Sequence, residues 1–111
     1  MTTATTSPAI DDQTTVRLVD HLTGQGLADL RWYLHDLVLA GARTIVVDMS
    51  SATGVESTTL AALIGTHRSC RARGGGVVLR DPGPQALDLI RRTGLWRVFR
   101  IEHSTRGTRR A

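Results

Sequence analysis

The sequence predicts a single α/β domain in which helices pack on a small β-sheet. Short β-branched runs alternate along the chain with amphipathic segments of about ten to fifteen residues, the pattern of β-α-β units. The chain of 111 residues is long enough for one hydrophobic core but too short for two. Crossovers between parallel strands are expected to be right-handed.

The first predicted strand and helix follow an N-terminal segment without periodicity. Residues 1–13 are expected to form a flexible N-terminus, and the folded domain is predicted to span residues 14–104. The stretch TTVRLVD (14–20) alternates in the manner of a strand. Thr23 is the predicted N-cap of a helix that ends at Gly41. The apolar face of this helix is predicted to comprise Leu27, Leu30, Leu34, Leu37 and Val38.

The middle of the chain predicts a buried strand, a loop and a second helix. RTIVVDM (43–49) is a β-branched run that suits a strand buried on both faces. SSATGVE (50–56) is predicted to be a loop, and the second helix is expected to begin at Ser57 or Thr58. The helix is expected to end at the RARGGG sequence (71–76). Its predicted apolar face comprises Leu60, Leu63, Ile64 and His67.

The last third of the chain predicts two more strands and a third helix. VVLR (77–80) is predicted to be a buried strand. A helix is expected to start near Pro84, to bury Leu87 and Ile90, and to stop at Gly94. A short strand is predicted over residues 97–101, followed by a basic, flexible tail over residues 105–111.

Composition favours a cytoplasmic protein without a membrane span. No apolar stretch approaches the roughly 20 residues that a spanning helix needs. The N-terminal sequence lacks the basic start and apolar centre of a signal peptide. The only cysteine, Cys70, falls within a helical pattern and is interpreted as a small packing residue.

The positive charge gives only weak support for a nucleic-acid partner. The net charge is +4 and every basic residue is arginine. These arginines are dispersed, and the aromatic residues that would stack on bases between them are missing. No specific nucleic-acid partner is therefore predicted. The competing hypothesis of a basic nucleic-acid binder would use Arg68, Arg71, Arg73 and the arginines of residues 106–110.

Catalytic, metal and cofactor motifs are not apparent in the sequence. Ser57 lacks the second glycine of a G-x-S-x-G elbow, and the four histidines show no helical pairing with carboxylates. No cluster has the spacing of metal ligands. RGGGV (73–77) precedes a strand and lacks the lysine of a P-loop. We therefore expect a non-enzymatic protein without a cofactor.

The hydroxyl run Ser57-Thr58-Thr59 is the strongest functional signal, because it lies between a strand and a helix start. One of the three hydroxyls is expected to cap the helix. The alternative use of the run is reversible phosphorylation, since a phosphate at a helix N-terminus lies in a favourable field. A phosphate beside Glu56 would also repel an acidic partner surface.

The stretch from residue 44 onward resembles a STAS domain of the bacterial anti-sigma factor antagonist family. In that family a strand ends in Asp-Leu-Ser, and a loop leads to Asp-Ser-(Ser/Thr)-Gly-Leu at the start of a helix. The resemblance covers roughly residues 14–104. The matching residues are Asp48-Met49-Ser50, Glu56-Ser57-Thr58-Thr59-Leu60, Arg73-Gly74, Val77-Val78-Leu79, Thr93-Gly94-Leu95 and Phe99.

The resemblance implies a small mixed β-sheet with helices packed on it, and a regulatory function in sigma-factor-dependent transcription, with the stress response as its setting. The partner would be an anti-sigma factor, often a serine kinase of ATP-binding fold, and a phosphatase would reset the switch. Ser57 would be the phosphorylated residue, with Thr58 as second choice. The implied partner-binding residues are Glu56, Ser57, Thr58, Thr59 and Leu60.

Two positions depart from the family motif, which leaves an alternative function open. Glu56 stands where the family has Asp, and Thr59 stands where it has Gly. Either change could impair phosphorylation while leaving the binding surface intact. The alternative is a STAS interaction module that is not phosphorylated and that belongs to a signalling assembly or a lipid-transport complex.

Overall fold

The computed structural model describes residues 4–6, 13–21 and 23–104. Five strands, three α-helices and one short 3₁₀ helix follow one another along this part of the chain. In chain order they are β1 (Ala4–Thr6), β2 (Gln13–His21), α1 (Gly24–Leu39), β3 (Thr44–Gly54), α2 (Ser57–Arg71), β4 (Gly76–Arg80), α3 (Pro84–Arg92), the 3₁₀ helix (Leu95–Arg97) and β5 (Arg100–Glu102).

The strands form one mixed sheet in the order β1-β2-β3-β4-β5. Strand β1 is antiparallel to β2, whereas β2, β3, β4 and β5 are mutually parallel. A helical segment joins each parallel strand to the next, so the predicted α/β fold class is confirmed. The register places Val16 opposite Val47, Val47 opposite Leu79, and Leu79 opposite Ile101.

The hydrophobic core lies between one face of the sheet and the helices. Alternate residues of the three central strands enter the core, as the two-residue period of a strand requires. The helices contribute Leu30 and Leu34 from α1, Leu60 and Leu63 from α2, and Ile90 from α3. The strand residues of the core are Val16, Leu18, Ile45, Val47, Met49, Val77 and Leu79.

Several predicted helix boundaries are confirmed. Thr23 occupies the N-cap position of α1, although its side chain makes no capping hydrogen bond. Gly41 and Gly94 adopt the positive φ angles of 104° and 76°, which glycine accepts at little cost after a helix. Strand β4 and the start of α3 at Pro84 also lie where they were predicted.

Cys70 is buried and has no disulfide partner, as its interpretation as a packing residue predicted. Burial raises the pKa of its thiol, and the nearby Arg73 offsets this rise only in part. Arg68 and Arg71, in the last turn of α2, and Arg73, just after it, are exposed. The Arg73 guanidinium donates a hydrogen bond to the carbonyl of Val38 in α1.

The prediction of a loop over residues 50–56 is wrong for most of its length. Strand β3 continues to Gly54, because Ser51 pairs with Val19 and Gly54 pairs with His21 across irregular steps in the register. The exposed residues Ser50, Ser51 and Thr53 resemble a loop in composition. Backbone pairing with the neighbouring strand outweighs that local preference.

Structure and prediction also differ at both ends of the domain. Ala4–Thr6, within the segment expected to be flexible, forms β1 and pairs antiparallel with residues 16–18. The strand predicted over residues 97–101 is wrong in its first half, where the 3₁₀ helix ends at Arg97 and β5 begins at Arg100. The predicted tail over residues 105–111, and residues 1–3 and 7–12, lie outside the described residues.

The faces that the helices bury differ in part from the predicted ones. In α3 the buried residues are Ala86 and Ile90, whereas Leu87 is only half-buried. In α2 Leu60 and Leu63 are buried as predicted. His67 is partly buried and is held by the fold, because its Nδ1 accepts a hydrogen bond from the Val77 N–H at 2.9 Å.

Candidate functional site

The hydroxyl run lies where β3 ends and α2 begins. Since β3 is one of four parallel strands, this junction is at the carboxyl edge of the sheet, where α/β folds usually bind their ligands. Only Val55 and Glu56 separate the last residue of the strand from the first residue of the helix. The site is therefore short and attached to regular structure at both ends.

Ser57 and Thr58 are the first two residues of α2, and both are exposed. The N-cap is Glu56, whose backbone is extended and whose carbonyl accepts the N–H groups of Thr59 at 3.0 Å and Leu60 at 3.2 Å. No side chain makes a capping hydrogen bond at this helix. The prediction that one of the three hydroxyls caps the helix is therefore wrong, because the helix begins one residue too early for any of them.

The remaining two residues assigned to the site point into the protein. Thr59 and Leu60 are each only 1% exposed, and Leu60 belongs to the hydrophobic core. The Thr59 hydroxyl oxygen has no hydrogen-bond partner among the described residues. At this junction the surface is consequently formed by the side chains of Glu56, Ser57 and Thr58.

Gln85, in the first turn of α3, fixes the backbone immediately before the site. Its Oε1 accepts the Val55 N–H at 2.7 Å, and its Nε2 donates to the Val55 carbonyl at 2.8 Å. Val55 itself is buried, so these two hydrogen bonds satisfy backbone groups that solvent reaches poorly. Sequence reasoning missed this residue, because nothing around Gln85 indicates a contact 30 residues away.

Asp48 organises the strand segment that leads to the site. Its Oδ1 accepts hydrogen bonds from the Ser50 N–H at 2.9 Å and from the Ser50 hydroxyl at 2.7 Å. Its Oδ2 lies 3.8 Å from Nε of Arg17 on the neighbouring strand β2. Asp48 and Ser50 thus form a local side-chain contact of the Asx type within β3.

The dipole of α2 favours added negative charge on Ser57, whereas the carboxylate of the neighbouring Glu56 opposes it. The first turn of α2 contains no acidic residue, and its N–H groups present the positive end of the helix dipole. A cleft between residues 49–55 and 83–86 lies next to it, with a volume of about 100 Å³. This volume is below the roughly 300–1,000 Å³ that small-molecule sites occupy.

The described residues contain no group of three or more His, Cys, Asp or Glu side chains that could hold a metal ion. The same part of the chain contains no helix with the length and apolar character needed to cross a bilayer.

Comparison with known proteins identifies a family and a set of similar folds. The family model described as "Mlab, STAS domain" matches residues 6–100 of the chain. The search of curated proteins found no match to this chain. Among solved structures, SpoIIAA in its unphosphorylated form has a TM-score of 0.82 at 16% identity, over 92% of this chain and 88% of that one.

Two further solved structures have the same fold. The Bacillus cell fate determinant SpoIIAA in its phosphorylated form has a TM-score of 0.76 at 16% identity, over 92% of this chain and 91% of that one. An anti-sigma factor antagonist from Mycobacterium paratuberculosis has a TM-score of 0.77 at 23% identity, over 95% of this chain and 88% of that one. At such identities the similarity establishes the fold.

Proposed function

We propose that this chain, which belongs to the STAS domain family, is an anti-sigma factor antagonist that phosphorylation of Ser57 switches off. In its unphosphorylated form it binds an anti-sigma factor of the serine-kinase type and so releases a sigma factor for transcription. The kinase transfers a phosphate to Ser57 and the complex dissociates. A phosphatase restores the binding form.

The observation that carries the proposal is the exposure of Ser57 at the first position of α2. The backbone around Ser57 is held by the Val55–Gln85 hydrogen bonds on one side and by the helix on the other. A kinase therefore meets a hydroxyl in a defined position. Thr58 is exposed beside it and is the second candidate for modification.

The departure at Thr59 does not obstruct the approach of a kinase. Where the family motif has glycine, the threonine side chain here is 1% exposed and points inward. Its β-branch therefore adds no bulk to the surface next to Ser57. The departure at Glu56 keeps the negative charge on an exposed side chain.

A phosphate on Ser57 would weaken a complex at this surface through its charge. Phosphorylation adds about −1.5 to −2 charges next to Glu56. Each 1.4 kcal/mol lost from the interface lowers the affinity about tenfold. A loss of a few kcal/mol thus changes a stable complex into a weak one.

The surface available to the partner continues along α2. Ala61 and Gly65 are exposed and follow Ser57 at intervals of four residues on the same helix face. Their small side chains allow a partner to approach the helix closely. The proposed function, as distinct from the location of this surface, is supported by the similar structures, since SpoIIAA is an anti-sigma factor antagonist solved in unphosphorylated and phosphorylated forms, and the similar structure from Mycobacterium paratuberculosis is also an anti-sigma factor antagonist.

Phosphopeptide mass spectrometry on the protein from growing and stressed native cells tests the proposal, with coverage of residues 43–68. We expect a phosphate on Ser57 whose occupancy differs between the two conditions. A fully covered, unmodified peptide in both conditions would contradict the switch. That result would favour the alternative, a constitutive STAS interaction module of a signalling assembly or a lipid-transport complex.

Variants of the two hydroxyl residues test whether Ser57 controls partner binding. Co-purification from native cells should recover the partner with Ser57→Ala under all conditions, and should recover at least about tenfold less of it with Ser57→Asp. Thr58→Ala distinguishes the two candidate hydroxyls, because partner recovery should still change between growing and stressed cells if Ser57 is the modified residue. If Ser57→Ala and Ser57→Asp both bind as the parent does, the assignment to Ser57 is wrong.

A further inference from the structure

We propose that a basic cavity at the amino-terminal edge of the sheet binds a phosphorylated small molecule. The cavity has a volume of about 600 Å³ and is lined in part by Thr44 and Gly76, the first residues of β3 and β4, which pair in register. Ser57 lies at the other end of β3, at the carboxyl edge of the sheet. The proposed site is therefore separate from the site of the proposed switch and does not depend on it.

Three arginines from three different elements converge on the cavity. Arg71 is the last residue of α2, Arg97 ends the 3₁₀ helix and Arg100 begins β5. None of the three forms an ion pair with a described carboxylate, and no described Asp or Glu lines the cavity. By contrast, three arginines elsewhere in the described chain are paired, namely Arg17 with Asp48, Arg80 with Glu102 and Arg92 with Asp88.

His67 adds a neutral donor to the wall of the cavity. Its Nδ1 accepts the Val77 N–H at 2.9 Å, so the neutral ring carries its proton on Nε2. Burial, and secondarily the charge of Arg71, lowers the pKa of His67 below its ordinary value. The ring therefore remains an acceptor toward Val77 near neutral pH and presents an N–H on its other nitrogen.

The glycine segment beside the cavity contributes space rather than donors. The N–H groups of Gly75 and Gly76 already donate to the carbonyls of Cys70 and Arg43, both at 2.9 Å. A phosphate held by a cradle of backbone N–H groups is thus excluded here. The polar side chains that line the cavity are those of the three arginines, His67 and Thr44.

These features define the class of ligand. Guanidinium groups present planar, paired donors that suit phosphate oxygens. A cavity of about 600 Å³ exceeds what one phosphate fills and falls within the usual range for small organic ligands. Val78 and Val98 provide apolar surface on the same wall for an organic group. The phosphate group could belong to a soluble molecule or to a lipid headgroup, and the recognised chemistry would be the same.

Amide-resolved NMR titration of the full chain with inorganic pyrophosphate, at constant ionic strength, tests the proposal. We expect shift changes centred on Gly74–Gly76 and Val98. The cavity variant R71Q/R97Q/R100Q should bind pyrophosphate at least about tenfold more weakly, because charged hydrogen bonds are lost. The control R31Q/R68Q/R91Q removes the same charge from exposed arginines outside the cavity and should bind within about twofold of the parent.

Several outcomes would overturn the proposal. These are equal losses in both triple variants, shift changes spread over the whole surface, or no response to about 10 mM pyrophosphate, well above the affinity of a specific site. Binding of an oligonucleotide without binding of pyrophosphate would also overturn it, since it would indicate a nucleic-acid surface instead.

A second arm distinguishes the two sources of the phosphate group once pyrophosphate binding is established. It measures sedimentation of the protein with phosphatidylcholine vesicles that do or do not contain phosphatidic acid. Sedimentation of the protein with vesicles that requires phosphatidic acid, and that is lost in R71Q/R97Q/R100Q but not in the control R31Q/R68Q/R91Q, supports the proposal with a lipid headgroup as the ligand. Absence of retention, with pyrophosphate binding intact, supports it with a soluble ligand.

Discussion

Gln85 holds both backbone polar groups of Val55, accepting from its N–H at 2.7 Å and donating to its carbonyl at 2.8 Å. This pair of hydrogen bonds joins the first turn of α3 to the residue that precedes the exposed segment Glu56-Ser57-Thr58. The side chain of Gln85 in α3 therefore holds the backbone just before the start of α2. We expect the position of Ser57 to depend on this contact.

Replacement of Gln85 by alanine should lower the free energy of unfolding by about 1–3 kcal/mol. The reason is that a buried N–H and a buried carbonyl of Val55 lose their partners together. Urea unfolding monitored by circular dichroism measures the change. Gln85→Glu is the informative control, because it keeps the acceptor for the N–H but turns a carboxylate toward the Val55 carbonyl. A stability unchanged in Gln85→Ala would show that the contact is dispensable.

Thr59→Val should raise the free energy of unfolding by about 1 kcal/mol. The Thr59 hydroxyl is buried without a hydrogen-bond partner among the described residues, and valine has nearly the same shape without that polar group. Thr59→Ser keeps the hydroxyl and removes the methyl, so it should lower stability. Denaturant unfolding of the two variants and of the parent protein measures these differences in the free energy of unfolding. A less stable valine variant would mean that the hydroxyl is satisfied in solution.

Gly75→Ala and Gly65→Ala should change stability in opposite directions. A Cβ at Gly75 would lie 1.8 Å from the carbonyl oxygen of Arg43, which accepts the Gly76 N–H, so the connection into β4 must shift. Gly65 lies within α2 with open space around it, and alanine there should add about 0.5–1 kcal/mol through helix propensity. Thermal unfolding of both variants measures the effect. Equal melting temperatures would contradict the tight approach at Gly75.

The stability of the protein should fall as the pH drops below the ordinary histidine pKa of 6.5, in part because of His67. Burial and the charge of Arg71 lower the pKa of His67 in the folded state. The unfolded chain therefore binds the proton first as the pH falls. The contribution of His67 is fully present above pH 6.5 and is lost progressively below it. Protonation would also remove the acceptor for the Val77 N–H.

Unfolding by urea at about pH 7.5 and pH 5.5, on either side of that value, measures this dependence. His67→Gln removes the titrating group while keeping an acceptor oxygen, so its loss of stability between the two pH values should be smaller than that of the parent. His35→Gln replaces an exposed histidine and serves as the control for a general change in charge. If His67→Gln and the parent lose equal stability, His67 does not contribute.

Much of the fold was predictable because it depends on local patterns. β-branched runs predicted β2, β3 and β4, and glycines at positive φ marked the ends of helices at Gly41 and Gly94. The order of motifs around Ser57 also led to the family that the comparison later matched. The position of Ser57 at a strand-to-helix junction follows from the same patterns.

The details of the candidate site required the tertiary structure. Whether a hydroxyl caps α2 depends on where the helix begins, and the extension of β3 to Gly54 with Glu56 as the N-cap sets that point. The inward orientation of Thr59 depends on how α2 packs on the core. Neighbouring residues in the sequence do not by themselves determine where α2 begins or how Thr59 is oriented.

The sequence by itself determined the fold class, the family and the location of the hydroxyl run, because periodicity, turn residues and motif order act over a few neighbouring residues. The tertiary structure alone decided that Gln85 holds Val55 and that Arg71, Arg97 and Arg100 surround one cavity. The physical reason is that these contacts join residues from separate elements. Their distances are set by strand order and helix packing, which local sequence preferences do not specify.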